Sequence, residues 1–107
     1  HIVAACNNQD FTKREWPGHF PSVITVNFRR GAAPEDFHYC RGQLVEFAAS
    51  GEEIDVPWLG GERKRVSGSS FAAPHVTGLL ARVISSLPEL SPLEAKALLA
   101  RLATVRE

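Results

Sequence analysis

Gly68-Ser69-Ser70 stands at the mouth of a helical pattern. A serine in that position has two meanings. Its hydroxyl can cap the helix by accepting a backbone N–H. It can also be a nucleophile, because the unpaired N–H groups and the positive dipole end stabilise negative charge that develops beside it. Gly68 lets the backbone turn tightly and lets a substrate approach. A nucleophilic serine needs a base to take its proton and an acid to orient that base. The candidates are scattered. His75 lies five residues along the same helix and points elsewhere, while His1, His19 and His38 stand outside any motif. Asp10, Asp36 and Asp55 have no context as an orienting acid, and no histidine–cysteine cluster has metal-ligand spacing.

The elements that must position this serine follow from pattern. Residues 1–6 are a short apolar run ending at Asn7-Asn8, as in the buried strand of a parallel sheet. Residues 8–21 are polar and carry Trp16-Pro17-Gly18, which predicts a loop. Ser22 to Phe28 is β-branched and aromatic, a second strand. Residues 29–36 are loop, and Leu44 to Ala48 is a third strand closed by Ser50-Gly51. Residues 52–67 predict a loop with one short extended piece. From Ser70, with the start at or just before it, Ala72, Val76, Leu79, Leu80, Val83, Ile84 and Leu87 keep the spacing of one helix face. Pro74 is tolerable only near the start of such a helix. After Leu87-Pro88, Ser91-Pro92-Leu93-Glu94 opens a second helix with a capping box, running to about Ala103. Strands first and helices last predict an α/β sheet piece with helices packed on it.

Composition bounds the functions. The chain has 107 residues, enough for one small domain. Twelve basic residues balance twelve acidic ones, which argues against a nucleic-acid or membrane-surface binder. The run Glu62-Arg63-Lys64-Arg65 reads as a solvated loop. No apolar run approaches the ~20 residues of a membrane span. Cys6 and Cys40 do not make a disulfide framework and read as buried, reduced thiols, with pairing left open. The chain starts at His1 and contains no methionine, so a processed chain or a piece of a longer one is expected.

The segment G-S-S-F-A-A-P-H-V-T-G, Gly68 to Gly78, closely resembles the nucleophile segment of the subtilisin-like serine proteases, the subtilases, whose pattern is roughly G-T-S-M-A-x-P-H-V-x-G. Gly68, Ser70, Ala72, Pro74, His75, Val76 and Gly78 match, while Ser69 and Phe71 depart mildly. Ala4-Ala5-Cys6-Asn7 resembles the family's A-A-G-N strand end. Trp16 to Val26 is similar to its Y-P-G-K-Y-P-S-V-I-A-V, and Val45 to Gly51 to its L-D-V-M-A-P-G strand. The resemblance covers residues 1 to about 103 and implies that residues 1–107 are the C-terminal portion of a subtilisin-like parallel-sheet catalytic domain. An α/β-hydrolase esterase is disfavoured, because Ala72 stands where its last motif glycine belongs and no Asp then His follows.

The resemblance implies a role for each matched residue. Ser70 is the acyl nucleophile. Asn7 donates its side-chain amide to the oxyanion, the alternative being a turn asparagine after a strand. Ala4, Ala5, Cys6, Gly68 and Ser69 border the substrate, and Cys6 stands where the family has glycine. His75 is a structural member of Pro74-His75-Val76. Trp16–Pro17 falls where the family commonly has a cis peptide. Glu15 falls at the floor of the pocket for the residue preceding the cleaved bond, where a carboxylate favours Lys or Arg; the alternative is a solvated loop glutamate. The family's Asp and His precede the A-A-G-N strand, so both are expected outside residues 1–107, on the N-terminal half of the same domain. A catalytically inactive, truncated or degenerate subtilase acting as a binding or scaffold module is the alternative function. The implied partner is a polypeptide substrate, with neither nucleic acid nor membrane. No organic cofactor is implied, and structural calcium only by resemblance. Secretion is favoured on the same ground, with an intracellular location left open.

Overall fold

A computed structural model describes residues 1–10 and 12–107; position 11 of the expected 8–21 loop lies outside the described residues. Strand β1 (Ile2–Ala5) pairs in parallel with β2 (Val23–Arg29), from Ile2 opposite Val23 to Ala5 opposite Val26. The third predicted strand lies slightly later than its apolar letters suggest. Two further strands join it, so the labels in chain order are β3 (Phe37–Tyr39) and β4 (Phe47–Ser50). Next come β5 (Ile54–Pro57) and β6 (Arg63–Val66), with a 3₁₀ turn between them at Leu59–Gly61. Helices α1 (Ser69–Ser86) and α2 (Pro92–Leu102) follow, then β7 (Val105–Arg106).

The main sheet runs β1-β2-β4-β3-β7, and β5 and β6 form a separate antiparallel hairpin. β1, β2 and β4 are mutually parallel, whereas β3 is antiparallel to β4. This is the expected α/β sheet with helices on it, extended by an antiparallel strand and by β7. Both additions were illegible in sequence: three residues of β3 and two of β7 are too short to carry a period. The 52–67 segment is a full hairpin rather than one extended piece.

The core is the face of β2 and β4 that α1 and α2 cover. Ile24, Val26, Phe47 and Ala49 meet Ala72, Val76 and Leu80 of α1, and Ala95 and Leu99 of α2, all buried. The 3.6-residue period of α1 holds up to Ile84, and Pro74 sits in its opening turns as expected. Leu87 does not continue that face. It ends the helix as a cap, its N–H donating to the Val83 carbonyl, and is 49% exposed. α2 opens as predicted. The Ser91 hydroxyl accepts the Glu94 N–H, and the Glu94 carboxylate accepts the Ser91 N–H.

Candidate active site

The hairpin returns the chain to its own starting point, and that closure sets the serine. Gly68 N–H donates to the Gly51 carbonyl at 2.8 Å, so the residue after β4 and the residue before α1 are joined. Neither position tolerates a side chain. A Cβ on Gly51 would stand 2.6 Å from Phe28 Cβ and 2.8 Å from the Gly68 carbonyl oxygen, and Gly68 has φ of 151°. That backbone conformation belongs to glycine.

Ser69, expected to border substrate, is instead wholly buried. Its hydroxyl donates to the Cys6 carbonyl at 2.6 Å, and its N–H donates to Asn8 Oδ1 at 3.0 Å. The end of β1 is thereby fastened to the first turn of α1. Asn8 had not been singled out. Its signal in the sequence is only a second asparagine after the strand, yet it caps α1 from across the fold. Ser70, next in the turn, is exposed. Its N–H belongs to the group that a helix cannot satisfy internally.

Asn7 is half-buried, and its amide orientation is fixed. Its Oδ1 accepts from Gln9 N–H at 2.6 Å, and its Nδ2 donates to Glu15 Oε1 at 3.0 Å. The other Glu15 oxygen accepts the Asn7 backbone N–H at 3.0 Å. Glu15, Ala5 and Cys6 line one cavity of about 170 Å³, walled further by Trp16, Pro17, Thr25 and Val45. Ala4 is a half-buried member of β1. The Trp16–Pro17 peptide is cis, as the resemblance implied. Thr25 Oγ–H donates to the Gly18 carbonyl at 2.6 Å, holding the cavity's loop to β2. Burial pushes the Cys6 thiol above its usual pKa, so it lines the cavity as a neutral, unreactive group.

The histidines and aspartates go elsewhere. His75 Nδ1–H donates to the Ser50 carbonyl at 2.8 Å, a structural bond between α1 and the end of β4. His38 is buried beside Glu107, and His19 packs edge-on against Trp16. Asp10 accepts from Thr12, Asp36 from Ala33 N–H, and Asp55 pairs with Arg63. Among the described residues, none of these groups hydrogen-bonds Ser70. No convergent group of three or more metal-ligating side chains occurs among them either. Cys6 and Cys40 are free and buried.

Ser70 is thus exposed in the first turn of α1, behind a glycine of positive φ, while the Asn8 side chain that follows β1 holds the N–H of the neighbouring Ser69. The family model described as Subtilase family matches residues 1–107. The chain belongs to the subtilase family. Among curated proteins, the subtilase segment is 38% identical over 103 residues to Subtilisin-like protease 2 of Trichophyton verrucosum, covering 91% of this chain and 24% of that protein. The counterpart of Trichophyton rubrum is 37% identical over the same length. Among solved structures, Sphericase superposes with a TM-score of 0.69 at 25% identity, over 94% of this chain and 38% of that one. A cold-adapted subtilisin-like serine proteinase gives 0.64 at 30% identity, over 80% and 32%. The subtilase segment thus spans about a quarter of the length of the curated relatives it matches.

Proposed function

We propose that residues 1–107 are the C-terminal part of the catalytic domain of a subtilisin-like serine endopeptidase. The observation that carries this is Ser70, exposed on the first turn of α1 while its neighbour Ser69 is buried and bonded to the Cys6 carbonyl. Ser70 Oγ attacks the peptide carbonyl of a polypeptide substrate, and its proton passes to a histidine. The Ser70 N–H and the Asn7 amide hold the tetrahedral oxyanion. The histidine then protonates the leaving amine, and water releases the acyl group from Ser70. Asp and His come from the N-terminal part of the same domain. The step needs no organic cofactor, structural calcium remains a family trait, and secretion is the favoured setting.

The absence of any His or Asp bond to Ser70 among the described residues keeps one other reading in play, a degenerate subtilase that binds without cutting. The experiment that separates them treats the full-length protein containing residues 1–107 with a fluorophosphonate, beside Ser70→Ala, and reads labelling by intact mass. Rapid labelling lost in Ser70→Ala is the expected result. No labelling of the folded protein establishes the binding module instead.

A further inference from the structure

β2 begins at Val23, yet its pairing with β4 starts only at Val26, opposite Phe47. The Val23 carbonyl lies beyond that ladder and takes its donor from α2. Lys96 Nζ donates to it at 2.8 Å and to the Pro21 carbonyl at 3.0 Å. Hydrogen bonds from an ammonium are stronger than those between neutral groups. Among the described residues Lys96 has no carboxylate within salt-bridge distance. Glu46 borders the same cavity of about 220 Å³, but its carboxylate accepts from the Tyr39 hydroxyl. Gly18 to Pro21 form one wall of that cavity, with Gln43, Leu44 and Glu46 facing them. Over this stretch the loop borders a void, so polar ties hold it where side-chain packing does not.

The Lys96 tie grips one end of a loop whose other end grips Asn7. Each turn between them is bonded to the next. Val23 N–H donates to the Phe20 carbonyl, Phe20 N–H to the Pro17 carbonyl, and His19 N–H to the Glu15 carbonyl. Glu15 then accepts from the Asn7 backbone N–H and from Asn7 Nδ2.

Resting on the protease reading above, we propose that Lys96 is a positioning residue of this subtilase. Its ammonium fixes the loop from Glu15 to Ser22 against α2, and so sets the Asn7 amide that receives the oxyanion. Lys96 acts through Asn7 and not on the substrate. Without the ammonium, water from the adjoining cavity can satisfy the two carbonyls, but water does not join the loop to α2.

The test uses the full-length protein with Lys96→Met, which keeps the aliphatic stem and loses the donors, beside Asn7→Leu and the double variant. Lys96→Gln replaces Lys96→Met if thermal melts show that the latter does not fold. Lys96→Met should lower kcat for a peptide anilide by about 2- to 30-fold, the size of a coupling carried through bonded neighbours. KM should hold, because the oxyanion forms only in the transition state. The double variant should be no slower than Asn7→Leu alone, since the two residues share one path. Losses that multiply, as a merely structural defect would give, overturn the proposal and leave the protease reading intact. An unchanged kcat in Lys96→Met does the same. Amide hydrogen exchange reads the tie without catalysis. The His19, Phe20 and Val23 amides should exchange faster in Lys96→Met while those of α1 keep their protection. Unchanged exchange at these amides overturns the proposal whether or not the protein cuts. Faster exchange in a full-length protein that neither cleaves nor takes a fluorophosphonate overturns the protease reading, and the oxyanion role with it, and leaves only the tie between Lys96 and the loop.

Discussion

At the scale of single residues, Ser69 and Asn7 have separable jobs. The buried Ser69 hydroxyl is the donor to the Cys6 carbonyl. Ser69→Ala strands that carbonyl, so it should destabilise the fold by about 1–3 kcal/mol. Urea melts of the two proteins, both in a Ser70→Ala background, measure this directly. Asn7 has the opposite balance, being half-buried and tied to the Glu15 carboxylate. On the proposed reaction, Asn7→Leu should cost about 10²–10³-fold in kcat, the size known for a side-chain oxyanion donor in subtilisins. KM should change little, since the donor acts on charge that forms only in the transition state. An unchanged kcat would remove Asn7 from the oxyanion site. The thiols are simpler. Burial raises the pKa of both Cys6 and Cys40, so a disulfide-exchange reagent at neutral pH should titrate them slowly in the native protein and fully after unfolding.

At the scale of elements, the joint between β4, the hairpin and α1 is the rigid part. Gly51 has the Gly68 carbonyl on one side and Ala72 Cβ, 3.0 Å from any added Cβ, on another. All three close neighbours lie on backbone or on Cβ atoms, which cannot rotate away. Gly51→Ala should therefore cost about 1–3 kcal/mol as overpacking, and it should also slow fluorophosphonate labelling of Ser70, because the displaced residue is the one that aligns the serine. A melt with labelling rates on the same samples checks both effects. α2 offers a pH test. The Ser91 backbone N–H, then the Ser91 hydroxyl, hold the Glu94 carboxyl below its ordinary pKa. The folded value is the lower one, so this stabilisation is complete above the ordinary glutamate range and lost as pH falls through the folded value. Between pH 7 and pH 3 the melting temperatures of wild type and Glu94→Gln should converge.

At the scale of the whole molecule, the sheet has an open side. β1 pairs only with β2 among the described residues, and Ile2 on it is 53% exposed. An unpaired strand edge invites another strand. Residues 1–107 expressed alone should therefore self-associate with rising concentration, by light scattering, while the full-length protein stays monomeric at the same concentrations. A monomeric isolated segment would show that the β1 edge is protected by its own twist or side chains.

The sequence by itself determined the elements whose periods are long or whose chemistry is local. α1 was readable because Ala72, Val76 and Leu80 repeat over several turns, and α2 because its capping box is written in four consecutive residues. The family was legible because the segment that carries the resemblance, Gly68 to Gly78, is contiguous. The tertiary structure alone decided what depends on partners distant in sequence. β3 and β7 exist through pairing, one against β4 and the other against β3. Asn8 became a helix cap only because β1 ends against α1, 61 residues away along the chain. Ser69 and Ser70 are the same letter in the same turn, and only packing buries one against the Cys6 carbonyl and leaves the other exposed. The Glu15–Asn7 contact has the same origin: a loop with no period of its own folds back on the strand end, because the backbone N–H and amide of Asn7 offer two donors to one carboxylate.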